Sequence, residues 1–415
     1  MVYGEFVFEG YRYDAAARAL SLTYRFTDGP RFTEELRFEV PPRELTSQDR
    51  VVLDRETAAF MQVFYERGLA EFAYRNGLSL RDHLEFAWEP SAPDSDPVAI
   101  DLPRRTCVPV GGGKDSIVTL ECLKQSGEDV TAFALGSAEP IAACIATAGV
   151  PALRVHRRLD SQLFALNQNG ALNGHVPITG ILSTIVLAAA VLAGCDTVAM
   201  SNEHSASVPN LVADGVEVNH QYSKSLDFEG MLADYLCSRI TPGLSYFSLL
   251  RPLSEIEIAR RFAGSPQYLP VFRSCNAAFK QSPTERARTW CGNCPKCRFV
   301  FLALRVRRAV WPEEPQAVRV RGRRGRERRG DDVPRPAPGL EARRGRAPSR
   351  RRRWRPERVP RAVPGAAPAP RAGRVPGAAR CESMSWPAGG WPSGASAARA
   401  RPRSGSCAAG CRTCR

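Results

Sequence analysis

The chain is 415 residues long, a length that fits two or three domains, and it carries a formal charge of +15. That excess is confined to one end: residues 305–415 hold 29 arginines, no lysine and 8 acidic residues, a balance of +21. Residues 1–304 therefore carry −6, which gives no ground for a nucleic-acid-binding body and describes a mildly acidic globular protein. No basic start followed by an apolar segment marks a secretory signal. The longest apolar run, Ile181 to Ala193, is too short to span a bilayer and reads as a buried helix. Nine of the 13 cysteines precede residue 300, and their clustering favours metal over disulfides. A cytoplasmic protein with no membrane partner is expected; the oligomeric state is not legible.

Residues 1–45 alternate apolar and polar positions (Phe6, Phe8, Tyr11, Leu20, Leu22, Tyr24, Phe26) around a turn at Asp28-Gly29-Pro30, the pattern of antiparallel sheet. Residues 50–88 shift to helical spacing, with Phe60, Val63, Phe64, Leu69 and Phe72 on inner faces. A Pro/Asp/Ser-rich linker, Glu89–Pro97, closes an N-terminal domain of residues 1–97 that is β-rich plus helical.

The run Gly111-Gly112-Gly113-Lys114-Asp115-Ser116 comes next, between an apolar β-type segment (Cys107–Val110) and a helical one (Ile117, Val118, Leu120, Leu123). Glycines permit tight turns and close approach of backbone to an anion. The following helix N-terminus offers unpaired N–H groups to phosphate. Ser116 adds a hydroxyl donor, and Asp115 is placed to hold magnesium. The run is neither a Walker A loop nor the Gly-x-Gly-x-x-Gly fingerprint, and a plain strand-to-helix turn is the competing reading.

Strand and helix then alternate: strand Asp129–Leu135, helix Ala138–Ala148, strand Ala152–His156, helix Ile178–Ala193, strand Thr197–Met200. Alternation of this kind predicts an α/β fold with a doubly wound parallel sheet, its ligand crevice at the carboxyl ends of the strands. Polar loops follow at Ser201–Ser207, containing Glu203 and His204, and at Asn219–Ser225, containing His220 and Lys224. His175 precedes the long helix. These five are candidates for proton transfer, ordered His204, His220, Lys224, Glu203, His175; a structural role for each histidine stays open.

Cys275 and Cys291-Gly-Asn-Cys294-Pro-Lys-Cys297 supply four thiolates at a spacing suited to a closed tetrahedral zinc site. Core thiols or a redox pair are the alternatives. After Leu304 the text becomes rich in Arg, Pro, Ala and Gly and lacks Ile, Phe, Tyr, Asn, Lys and His. Residues 305–415 read either as frame-shifted translation of G+C-rich DNA or as a disordered basic arm.

The glycine run resembles the Ser-Gly-Gly-x-Asp-Ser signature of the PP-loop ATP pyrophosphatases, with Gly111 at the usual serine. The order of features is similar to that of 7-cyano-7-deazaguanine synthases, which are zinc-bearing PP-loop enzymes that adenylate a carboxylate. A closer resemblance is to the UDP-N-acetylmuramoyl-L-alanyl-L-glutamate epimerases. It is carried by Val108–Ser116, Ser201–Ser207, His220–Ser225 and Trp290–Phe301, and covers residues 1 to about 304. The resemblance implies an adenine nucleotide alpha hydrolase-like domain over residues 98–304 and a UDP-MurNAc-dipeptide substrate. ATP and magnesium would serve as cofactors, with Lys114 reaching a phosphate as a point charge and zinc in a structural role. It also implies carboxylate activation that acidifies the glutamate Cα. A 7-cyano-7-deazaguanine synthase-like enzyme acting on another carboxylate is the alternative.

Overall fold

The computed structural model describes residues 3–39, 53–80, 84–92, 96–213, 216–280 and 285–305. Residues 306–415, on which most of the frame-shift or basic-arm reading rests, lie outside the described residues, as do positions 93–95 of the linker.

Eight strands form the main sheet. They are β1 (Phe6–Asp14), β2 (Ala19–Phe26), β3 (Arg31–Phe38), β4 (Thr106–Pro109), β5 (Val130–Leu135), β6 (Ala152–Arg158), β7 (Thr197–Met200) and, after a small hairpin, β10 (Ser245–Ser248). The hairpin pairs β8 (Leu211–Ala213) with β9 (Val216–Val218). The sheet order is β1-β2-β3-β6-β5-β4-β7-β10. From β6 to β10 every pairing is parallel. The α/β fold with a mostly parallel central sheet is therefore as the alternation predicts. Strands β4 and β5 are almost continuously apolar because helices cover both of their faces.

The three N-terminal strands extend this same sheet. Strand β3 runs antiparallel to β6, with Leu36 opposite Arg157 and Phe38 opposite Val155. Two polar contacts hold the register: Arg157 Nε donates to Glu34 Oε1 at 2.7 Å, and Thr33 N–H to Asp160 Oδ2 at 3.0 Å. The addition covers the edge that β6 would otherwise expose.

Nine α-helices occur among the described residues: α1 (Arg55–Gly68), α2 (Ala70–Asn76), α3 (Lys114–Gln125), α4 (Glu139–Ala148), α5 (Ser161–Gln168), α6 (Ile178–Ala193), α7 (Leu226–Tyr235), α8 (Glu255–Phe262) and α9 (Pro295–Arg305). Local capping sets several starts. Asp54 accepts from Thr57 N–H at 2.8 Å before α1, and Ser225 accepts from Phe228 N–H at 3.1 Å before α7. Helix α6 has the predicted bounds and buries Ser183, Val186, Leu187 and Ala190, an i, i+3, i+4, i+7 stripe. One core layer joins α3 to α8 and α9 through Ile117, Leu120, Ile258, Phe262 and Val300. The layer on the other side joins α6 to α7 through Val186, Leu187, Phe228 and Leu232.

Strand β4 lies between β5 and β7, so the chain winds one way through β5 and β6 and the other way through β7 and β10. That reversal leaves a crevice beyond the carboxyl ends of β4 and β7.

Candidate active site

A cavity of about 590 Å³ occupies this crevice. Its lining comes from the glycine run, from Met200 at the end of β7 and Ser201 and Asn202 after it, and from residues beside the cysteines. Phe133, Leu135 and Leu182 give one part an apolar wall.

The glycine run is shaped by close packing. Gly112 has φ +75°, a left-handed conformation, and a Cβ there would lie 3.2 Å from the Pro140 backbone. Its carbonyl accepts from Arg273 N–H at 2.7 Å. A Cβ on Gly113 would come within 2.6 Å of Ser274 Oγ, whereas Gly111 has open space around it. Gly111, Gly113, Asp115 and Ser116 all line the cavity at the start of α3, where backbone N–H groups are unpaired by the helix.

Lys114 is turned inward. Its side chain is only 3% exposed, its ammonium lies 2.6 Å from Asp115 Oδ1, and it also contacts Glu255 Oε2. The Phe299 ring of α9 lies 5.7 Å from the same nitrogen. Burial pulls the Lys114 pKa down, but the carboxylates of Asp115 and Glu255 outweigh it and hold the ammonium above its ordinary range. Asp115 remains partly exposed to the cavity.

None of the five proton-transfer candidates is among the cavity-lining residues. Lys224 comes nearest by its electrostatic neighbours. Burial pulls its pKa below the ordinary lysine range, Lys296 adds to this, and Asp115, Glu203 and Glu255 oppose it. Glu203 is buried and accepts from Ser205 Oγ at 2.8 Å and from Ser205 N–H, the latter capping the short turn at His204–Ser207. His204 is exposed, its N–H donating to Leu253 O at 3.2 Å. His220 and His175 pack edge to face, with ring centres 5.5 Å apart. His220 Nδ1 contacts Asn210 Oδ1, which makes it the protonated nitrogen, and Nε2 then accepts from Gln221 Nε2 at 3.2 Å. Burial lowers the His175 pKa, and the neighbouring His220 adds to this.

Arg251 joins the two polar loops. Its guanidinium donates to Glu203 O at 3.0 Å and to Lys224 O at 2.8 Å. The two terminal nitrogens of this arginine are thus taken up by protein groups, Glu229 among them, while its buried Nε has no partner among the described residues, and Arg273 pairs with Glu139.

The Sγ atoms of Cys275, Cys291, Cys294 and Cys297 lie within 4.8 Å of one another. Four thiolates around one tetrahedral zinc, with Zn–S near ~2.3 Å, sit roughly 3.8 Å apart, so the cluster fits such a metal. Cys297 N–H donates to Cys294 Sγ and Cys291 N–H to Cys275 Sγ, each at 3.4 Å. Burial raises the Cys291 pKa, but the backbone N–H groups of Asn293 and Cys294 and the neighbouring thiols bring it down to about 6. Such donors stabilise a thiolate, the form that ligates metal.

Sequence reasoning missed Glu255, Ser274, Asn276 and Lys296. Glu255 has only helix-start chemistry around it, following the N-cap Ser254. The other three flank the cysteines, and their neighbours' metal-ligand spacing obscures any role of their own.

The chain is similar in sequence to known families. A model described as the MurL N-terminal domain matches residues 41–249, about half of the chain. A second, the MurL C-terminal domain, matches residues 271–318 and so runs past the compositional break at 305. A protein of Xanthomonas oryzae pv. oryzae named UDP-N-acetyl-alpha-D-muramoyl-L-alanyl-L-glutamate epimerase is 44% identical over 64% of this chain and 58% of its own. A protein of the same name from Salinispora tropica is 48% identical over 61% of this chain and 55% of its own. The chain thus spans under two thirds of the length of these relatives. A solved structure titled as a predicted subunit of tRNA methyltransferase from Methanocaldococcus jannaschii covers 39% of this chain and 75% of its own. At 14% identity and a TM-score of 0.25 it is too distant to bear on the site.

Proposed function

This chain belongs to the MurL family, and from that premise we propose that it inverts the terminal L-Glu of UDP-MurNAc-L-Ala-L-Glu to D-Glu in peptidoglycan precursor synthesis. The observation that carries this reading is the joining, in one cavity, of the glycine run with the polar end of β7. The family assignment favours it over a 7-cyano-7-deazaguanine synthase-like reaction. No described helix is long and apolar enough to cross a membrane, in keeping with a small-molecule substrate met in the cytoplasm.

Removing a proton beside a carboxylate is prohibitive while that carboxylate keeps its charge. ATP, when bound, would supply the remedy by activating that carboxylate with loss of pyrophosphate, so that charge developing at the neighbouring carbon could be borne. The chain's own residues hold and orient. Backbone N–H groups at Gly111, Gly112 and Gly113 and the Ser116 hydroxyl bind the pyrophosphate end. Asp115 is the ligand for magnesium, and Lys114 acts from behind by holding that carboxylate in place. Cys275, Cys291, Cys294 and Cys297 hold structural zinc, which ties the segment after residue 274 to α9.

Proton transfer is assigned first to Lys224, whose lowered pKa suits a base and whose neighbours border the cavity. His204, His220, Glu203 and His175 follow as partners for the opposite face. The test is incubation with ATP, magnesium and UDP-MurNAc-L-Ala-L-Glu, followed by chiral analysis of glutamate. Accumulation of D-Glu with AMP and pyrophosphate is expected; its absence overturns the assignment.

A further inference from the structure

The lysine written into the glycine run is spent inside the protein. Lys114 is enclosed by Asp115, Glu255 and Phe299, so its charge is already balanced. A cavity that receives a pyrophosphate needs another cation, since Asp115 adds negative charge to its wall. Among the described residues lining it, Lys296 is the only cation. Lys296 makes no ion pair with any described residue and is exposed.

The cysteine knot explains how this side chain arrives there. Cys294 and Cys297 lie three residues apart at the start of α9 and turn their sulfurs to one another, 3.4 Å apart. Lys296, between them, projects toward the cavity. On the other strand of the knot, Ser274 and Asn276 flank Cys275 and line the same cavity. Both halves of the four-cysteine cluster thus build one wall of the crevice. Lys296 also bears on Lys224, whose pKa it lowers more than any other neighbouring charge does.

We propose that Lys296, carried into the crevice by the four-cysteine knot, is the cation that binds the pyrophosphate end of the nucleotide. The proposal rests on the reading of the cavity as a nucleotide site. It gives the metal cluster a second task, as the mount of a substrate-binding residue. The same placement makes the integrity of the knot a condition for phosphate affinity.

The experiment compares the full chain with Lys296→Met and Lys296→Arg by titration calorimetry. Magnesium pyrophosphate and adenosine are titrated separately, and bound metal is measured by mass spectrometry. Lys296→Met is expected to weaken pyrophosphate about ten- to a hundredfold, as loss of a charge-assisted hydrogen bond does. Adenosine affinity and metal content stay unchanged, and Lys296→Arg recovers most of the lost affinity. Wild-type pyrophosphate affinity in Lys296→Met overturns the role of Lys296 while leaving the nucleotide site intact. A loss accompanied by loss of metal, or one that Lys296→Arg does not recover, also overturns it. Failure of the unaltered chain to bind either probe overturns the nucleotide reading itself.

Discussion

Arg251 and Glu229 form an ion pair at 2.6 Å in which both side chains are almost withdrawn from solvent, 13% and 11% exposed. Glu229 lies on α7 and Arg251 follows β10, so the pair joins two elements that flank the crevice. The same guanidinium grips the carbonyls of Glu203 and Lys224, so one side chain sets the spacing of both polar loops. Glu229→Gln leaves that charge without its counterion, and breaking a buried pair from one side costs about 3 kcal/mol. Chemical denaturation of Glu229→Gln is expected to show that loss. Arg251→Lys, which has no fork to reach two carbonyls, is expected to lose epimerisation more than stability.

The proposed assignment of Lys224 as the base predicts a pH-dependent reaction. Burial and Lys296 lower its folded pKa, so the amine becomes neutral at a lower pH than a free lysine would. Exchange of the glutamate Cα hydrogen for deuterium should therefore rise with pH and level off below the usual lysine range. Lys224→Arg, which keeps the charge but cannot lose it, is expected to reduce exchange by about 10²–10⁴-fold. Unchanged exchange in this variant would remove Lys224 from the chemistry. The same lowered pKa means that Lys224 favours folding more as pH rises through it, because the unfolded chain holds the proton longer.

Metal removal should act on the fold. The purified chain is expected to contain about one zinc per molecule, and Cys275→Ser to lose it. In the unaltered chain stripped of metal, the fully buried Cys275 and Cys297 lie among apolar neighbours without a shared ion. Thermal melting after chelation should fall by several degrees, read by circular dichroism. A folded, metal-free chain with unchanged melting would contradict the assignment.

The three glycines should respond unequally. Gly112→Ala meets both a positive φ of +75° and the Pro140 backbone at 3.2 Å, and is expected to cost about 1–2 kcal/mol. Gly111→Ala has open space and no unusual φ, so its denaturation midpoint should hardly move. Any loss of pyrophosphate affinity in Gly111→Ala then reports on the cavity, which that position lines, and not on stability.

Much of this arrangement is legible along the chain. Helix α6 and strand β7 have the bounds that periodicity predicts, because a long apolar helix and a short buried strand depend mainly on local pattern. The glycine run and the four cysteines announce themselves by spacing. The order of His175, His204 and His220 along the chain, by contrast, does not reveal that two of these rings touch while the third is exposed. Nor does alternation in residues 6–38 show that those strands continue the parallel sheet through Glu34 and Arg157.

By itself, then, the amino-acid sequence determines the α/β alternation, the turn before α3 and a thiolate cluster fit for metal, since each follows from chemistry within a few residues. The direction in which the charges point is decided by the tertiary structure. Lys114 reads as a phosphate ligand until Glu255, 141 residues away, takes its charge into the protein. Lys296 draws no notice in the sequence, between two cysteines, and only the fold places it on the cavity wall. The physical reason is that a charge goes where its counterions are, and those counterions come from distant parts of the chain.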